Sequence, residues 1–198
     1  MKNRLNMKLA IAAAGLLGVG AVQNAQAIPI TGDISMGGGV TLDDGHLGRA
    51  NKAVRFSGVT VGGGSTGSFD GTGGNSVTWK SFGWDPATTP VTPLWSFTAG
   101  ALTYSFALST VSVFSQSATL LSLTGTGILS ITGAGSLYDA TPGSWSFSIN
   151  DSDGNENTNK KFTFSNNQTA AAVPDGGMTI MLLGMALGGL GYARRLIA

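Results

Sequence analysis

The side chains of this sequence that could do chemistry are few and scattered. A single histidine, His46, follows Asp43-Asp44-Gly45. A Ser/His/Asp triad needs a base, an orienting acid and an activated nucleophile that meet in space, and no G-x-S-x-G elbow or equivalent accompanies His46. An exposed loop histidine without a catalytic role is expected. The run Asp151-Ser152-Asp153-Gly154-Asn155-Glu156-Asn157 sets oxygen side chains at alternate positions, as a Ca²⁺ loop does, with Asp151, Asp153, Asn155 and Asn157 as the ligands. Its glycine comes fourth rather than sixth, and Phe162 stands where an EF-hand closes with Glu. The competing expectation is the polar loop of a hairpin, because Asn, Asp and Gly make turns through their own local hydrogen bonds. Gly62-Gly63-Gly64-Ser65-Thr66-Gly67 satisfies G-x-G-x-x-G, but phosphate binding there requires a following helix, and the chain runs on through further Gly and Ser. A loop is expected. Trp84, beside the proline-stiffened stretch Asp85 to Pro93, is the aromatic best placed to stack on a sugar ring, whereas Trp79 and Trp95 alternate with polar neighbours as core residues do.

Composition narrows the field further. The chain has 198 residues with 31 glycines, no cysteine and only 11% charged side chains. Zero cysteine excludes disulfides, thiolate metal sites and thiol nucleophiles. The only Glu is Glu156, and most of the acids sit beside Gly, Asn or Ser in turns, so paired carboxylates for glycoside hydrolysis are not expected. Five of the 11 basic residues (Lys2, Arg4, Lys8, Arg194 and Arg195) lie near the chain ends, so residues 28 to 175 carry 6 basic against 10 acidic side chains, net −4. That balance argues against a nucleic acid partner. No enzyme is expected, and no cofactor beyond the calcium just considered.

The elements that must position these residues are strands. Leu102, Tyr104, Phe106 and Leu108 alternate with Thr103, Ser105 and Ala107, and Trp95, Phe97 and Ala99 do likewise, with Ala99-Gly100 as a turn between them. Further strands are expected at Val54 to Phe56, Val59 to Val61, Val77 to Phe82, Val111 to Phe114, Thr119 to Leu123, Ile128 to Thr132, Trp145 to Ile149 and Phe162 to Phe164. No internal amphipathic helix is expected. Nine or ten short strands with Ser and Thr facing outward predict an all-β domain over 28–172, a β-sandwich or jelly-roll, with a β-solenoid as the alternative. The echo of Thr92 to Phe97 in Thr141 to Phe147 reads as two similar inward-facing strands rather than a repeat array.

The two ends have a different character. A basic start is followed by the uncharged run Leu9 to Val22 and by Ala25-Gln26-Ala27, the small-x-small pattern of a signal peptidase site. Residues 1–27 are therefore expected to be a signal helix removed before Ile28, since about 14 residues rise only about 21 Å against a hydrocarbon core of about 30 Å. At the other end Val173-Pro174-Asp175-Gly176-Gly177 precedes an uncharged helix over 177–192 and a basic tail over 193–198 with Arg194 and Arg195. Pro174 and the glycines keep the motif extended and open, and the two arginines hold the far end in the cytoplasm.

This tripartite end, 173–198, resembles the PEP-CTERM class of sorting signals, and most closely its Val-Pro-Asp-Ser-Gly variant. Val173, Pro174, Asp175 and Gly177 agree with that variant, and Gly176 replaces its Ser. The resemblance implies export, transient inner-membrane anchoring by a single C-terminal helix, and processing by an exosortase-like enzyme, leaving the protein at the cell surface or outside the cell. The five motif residues would be contacts for that enzyme and perform no chemistry. The expected function is thus a non-enzymatic surface or extracellular-matrix protein. The alternatives are a carbohydrate-binding module on exopolysaccharide, with Trp84 as contact, and a plain membrane-anchored surface protein.

Overall fold

The structure is a computed structural model and describes residues 28–152, 154 and 156–168. The signal helix 1–27 with Ala25 and Ala27, the sorting segment 173–198 with Arg194 and Arg195, and Asp153 and Asn155 of the calcium loop lie outside the described residues.

The described chain is built of strands: β1 (Ile28–Pro29), β2 (Gly32–Leu42), β3 (Lys52–Val61), β4 (Thr78–Trp79), β5 (Phe82–Gly83), β6 (Val91–Ala99), β7 (Leu102–Leu108), β8 (Ser112–Gln116), β9 (Leu120–Gly133), β10 (Tyr138–Asp139), β11 (Thr141–Asn150) and β12 (Asn159–Gln168). Ten of them form one sheet in the order β4-β6-β7-β9-β11-β12-β2-β3-β5, with β8 added on β9; β1 and β10 pair in parallel apart from it. The neighbours along this path are antiparallel.

The sheet curls until its ends meet. Val61 N donates to Asn75 O, Val77 N to Val59 O, and Ala53 and Lys52 pair with Phe82 and Gly83, so residues 74–83 run along β3. On its other side the same stretch pairs through Thr78 and Trp79 with Ser96 and Trp95 of β6. The result is a closed meander in which residues 74–83 join β3 to β6, each later long strand pairs with the next, and β12 returns to β2. The all-β expectation holds, and the two facing layers expected of a sandwich belong to one continuous sheet.

Alternation fills the interior. Met36, Val40, Phe106, Leu123, Phe147, Phe162, Phe164, Trp95 and Trp145 face one shared core, while Ser, Thr and Asn occupy the outward positions. This apolar-in, polar-out order is the reverse of a lipid-facing barrel. All four tryptophans and eight of the nine phenylalanines, Phe114 excepted, belong to this core or pack against it. Phe147 stacks on Phe162 at 4.9 Å, and Trp79 meets Phe164 edge-on at 5.1 Å. Each such pair adds roughly 0.5–1.5 kcal/mol beyond area burial. The echoed segments place Trp95 with Phe97 and Trp145 with Phe147 inward, as two similar strands.

Four strand assignments differ from the sequence reading. The stretch Val77 to Phe82 is two short strands, β4 and β5, because Trp79 pairs towards β6 whereas Phe82 pairs towards β3. Gly125 and Gly127 do not break a strand: β9 runs through both, because a Cβ on Gly127 would lie 2.1 Å from Phe106 Cζ and one on Gly125 2.0 Å from Thr110 O. The glycines let neighbouring groups lie against the β9 backbone. The segment Gly32–Leu42, with its three central glycines, is a full strand, and Gly38 leaves room for Val59, whose Cα would be 2.8 Å from an added Cβ. Val54–Phe56 and Val59–Val61 are one strand with an irregularity at Gly58 (φ 57°).

Candidate functional site

β2 enters the barrel and β12 leaves it at the same end, since Gly32 and Gln168 are partners. The opposite, distal end gathers most of the ionisable side chains singled out in the sequence. There the β2–β3 connection, residues 43–51, closes the wall between β5 and β8. Asp43 Oδ1 accepts from Asn51 N and Lys52 N, and Asp44 Oδ1 accepts from His46 N at 2.8 Å. His46 Nδ1 accepts in turn from Gly48 N at 3.2 Å. The histidine ring serves its own turn. Arg49 reaches Asp44 Oδ2 at 3.1 Å and Glu156 Oε1 at 3.6 Å, joining this connection to the β11–β12 loop. The hydrogen bond from Arg49 holds the Asp44 carboxyl below its ordinary value, and Asp44 in return raises Arg49. Both are solvent-exposed, so the pair orients the loop and adds little stability.

The calcium loop carries a different arrangement. Lys160 Nζ lies 2.5 Å from Asp151 Oδ2, with side chains 3% and 10% exposed. Asn157 Oδ1 accepts from Asn159 N at 2.9 Å, a local turn bond. Among the described residues no cluster of three or more His, Cys, Asp or Glu is disposed to hold a metal ion. The missed signal was the phase of Lys160. It shares inward parity with Phe162 and Phe164, and a cation at an inward position calls for a buried anion.

Trp84 does not project from its loop. Its ring is 6% exposed, packs at 6.0 Å from Phe82, and its Nε1 donates to Ala50 O at 3.1 Å. The expectation of an exposed sugar platform at Trp84 is therefore corrected: β5 pairs with the start of β3 and draws the next residue into the gap over residues 43–51. Gln116 Nε2 of β8 donates to the same carbonyl at 2.7 Å and to Leu47 O at 2.6 Å, a tie the sequence did not reveal. Tyr104 is also inward, and burial raises its phenol.

The glycine-rich stretch after β3 forms a structured stopper at the near end. Thr66 N donates to Asp33 O, Gly67–Phe69 make one 3-10 turn, and Phe69 is fully buried beneath it. No α-helix follows to aim N–H groups at a phosphate.

The proposed sorting motif, Val173 to Gly177, begins just beyond Gln168. No curated protein and no solved structure matches this chain. A family described as the VPDSG-CTERM motif matches residues 172–197, so the protein carries a VPDSG-CTERM sorting signal and is an exported protein sorted by an exosortase-like enzyme.

Proposed function

We propose that the chain is a non-enzymatic surface or extracellular-matrix protein whose folded cargo is the aromatic-filled barrel, held briefly at the inner membrane and then released or transferred. The sorting signal at residues 172–197 is the observation that carries this reading. Signal peptidase would cut after Ala27, and Val173 to Gly177 would be the segment read by the processing enzyme. The barrel geometry suits this handling. Chain entry and exit share one end, and only Thr169 to Ala172 separate Gln168 from Val173. At about 3.3–3.6 Å per extended residue, the barrel would sit within about 20 Å of the cleavage motif while anchored.

The polar side chains support a structural role. Asp43, Asp44, Arg49, Asp151, Glu156 and Lys160 are engaged with one another or with nearby backbone and so brace loops. A plain anchored surface protein is the competing proposal. Intact mass of the protein from membranes and from culture supernatant separates the two, because sorting removes the tail that carries Arg194 and Arg195.

A further inference from the structure

Ile28, the residue that a cut after Ala27 would leave at the mature N-terminus, is itself built into the fold. Ile28 N donates to Leu137 O at 2.8 Å, and Ile28 and Pro29 pair in parallel with Tyr138 and Asp139. Ile30 N donates to Thr141 Oγ1 at 2.9 Å, and the Ile30 side chain is fully buried. Thr31 N donates to Ser68 Oγ, and Ser68 N donates back to Thr31 O. Four consecutive residues are thus stitched to two segments remote in sequence, and β2 begins at the very next residue.

Ile28 N is also the nitrogen of the Ala27–Ile28 peptide bond. Proteases cut exposed, unpaired chain, so a bond whose nitrogen is engaged in folded structure is cut only through local opening. Opening here costs more than one hydrogen bond, because Ile30 must leave the core before residues 28–31 can peel away. The partners of β1 also come late in the chain: Thr141 lies 111 residues beyond Ile30. A chain exported from its N-terminus exposes the Ala27–Ile28 bond well before residues 137–141 arrive to cover it. We infer that β1 is a clasp that closes over its own cleavage site, so that the signal peptidase cut must precede docking of residues 28–31. Hydrolysis adds one water across the bond, leaving a carboxylate on Ala27 and an amine on Ile28 that stays the donor to Leu137 O. This rests on the reading of Ala25 and Ala27 as the peptidase site and adds an order of events to it: a chain that folds uncut keeps its leader.

The test uses the full-length precursor, refolded from denaturant into detergent, with purified signal peptidase added either at the start of refolding or after the tryptophan emission has stopped changing. Mass spectrometry reads the cut after Ala27. Early addition is expected to give complete cleavage, and late addition cleavage at least about tenfold slower, set by the rare open form. A second precursor carries Gly-Ser-Gly-Ser between Ala27 and Ile28, which leaves residues 28–168 unchanged and moves the target bond about 13 Å along the chain. It is expected to be cut equally fast at both times. Thr141→Val, which removes the acceptor for Ile30 N, is expected to speed late cleavage of the folded chain. Late cleavage of the unaltered precursor as fast as early cleavage would overturn the inference. So would late resistance that persists in the insertion variant, because the shield would then lie outside β1. No cut after Ala27 in either chain at either time would instead remove the peptidase site itself, and the clasp with it.

Discussion

Lys160 and Asp151 form an ion pair at the distal rim of the barrel, Nζ to Oδ2 2.5 Å, with both side chains almost fully withdrawn from water. Removing one partner of such a pair leaves an uncompensated buried charge, at a cost of about 3–5 kcal/mol. Lys160→Met is expected to destabilise by that amount in denaturant unfolding, and Lys160→Met with Asp151→Leu by less than the sum of the single changes. Because the Asp151 carboxylate is already neutralised, adding millimolar Ca²⁺ or a chelator is expected to leave the melting temperature where it is. A Ca²⁺-dependent rise would restore calcium to the loop of Asp151, Asp153, Asn155 and Asn157.

Trp84 and Gln116 share one acceptor, the carbonyl of Ala50. Trp84→Phe keeps most of the ring's packing, and Gln116 still serves the carbonyl, so a loss of about 1 kcal/mol is expected. Adding Gln116→Leu removes both donors and is expected to cost about 1–3 kcal/mol more than the single losses combined. A double-mutant cycle with zero coupling would show that residues 43–51 are held some other way. Trp84→Ala is expected to destabilise by about 3–5 kcal/mol, so any change in polysaccharide retention by that variant would follow from a weakened fold.

Gly127 lies where Phe106 and the carbonyl of Ala107 approach the β9 backbone. An added Cβ would be 2.1 Å from the ring and 2.4 Å from that oxygen. The ring tip can shift, but the backbone oxygen cannot without moving β7. Gly127→Ala is expected to destabilise by about 1–3 kcal/mol, as overpacking does, and Gly64→Ala, with open space around it, by far less. Equal melting temperatures for the two variants would contradict the packing described for β9.

Asp44 is depressed by the hydrogen bond from Arg49, so its contribution is present above the ordinary carboxylate value of 3.8 and is lost as pH falls through the lower, folded value. By NMR titration Asp44 is expected below 3.8 in the native protein and nearer 3.8 in Arg49→Ala. Titration of native Asp44 at or above 3.8 would contradict the Arg49 contact.

Period-two alternation made the core legible in the sequence. Tyr104, Phe106 and Leu108, and Trp95 and Phe97, face inward as their spacing requires. Glycines are less legible, because one residue type serves two opposite purposes. Gly100, at φ 60°, makes the turn expected of it, whereas Gly38, Gly125 and Gly127 sit inside strands where neighbouring groups need the space of a missing Cβ. Closure into one curled sheet depends on the pairing of residues 74–83 with both β3 and β6, a long-range choice that local pattern does not encode. The sequence neighbours of Trp84 are loop residues and point to exposure, while its burial comes from Ala50 and Phe82. The sorting segment was legible because its order of short motif, apolar run and basic tail is read linearly.

The central claim, that this barrel is exported and sorted through its C-terminal signal, is tested most directly by the intact mass of the protein from the native host, measured separately in membranes and culture supernatant. The account predicts a chain that starts at Ile28 and ends between Val173 and Gly177, with or without an attached group. Full-length C-termini confined to the membrane, with Arg194 and Arg195 still present, would contradict it.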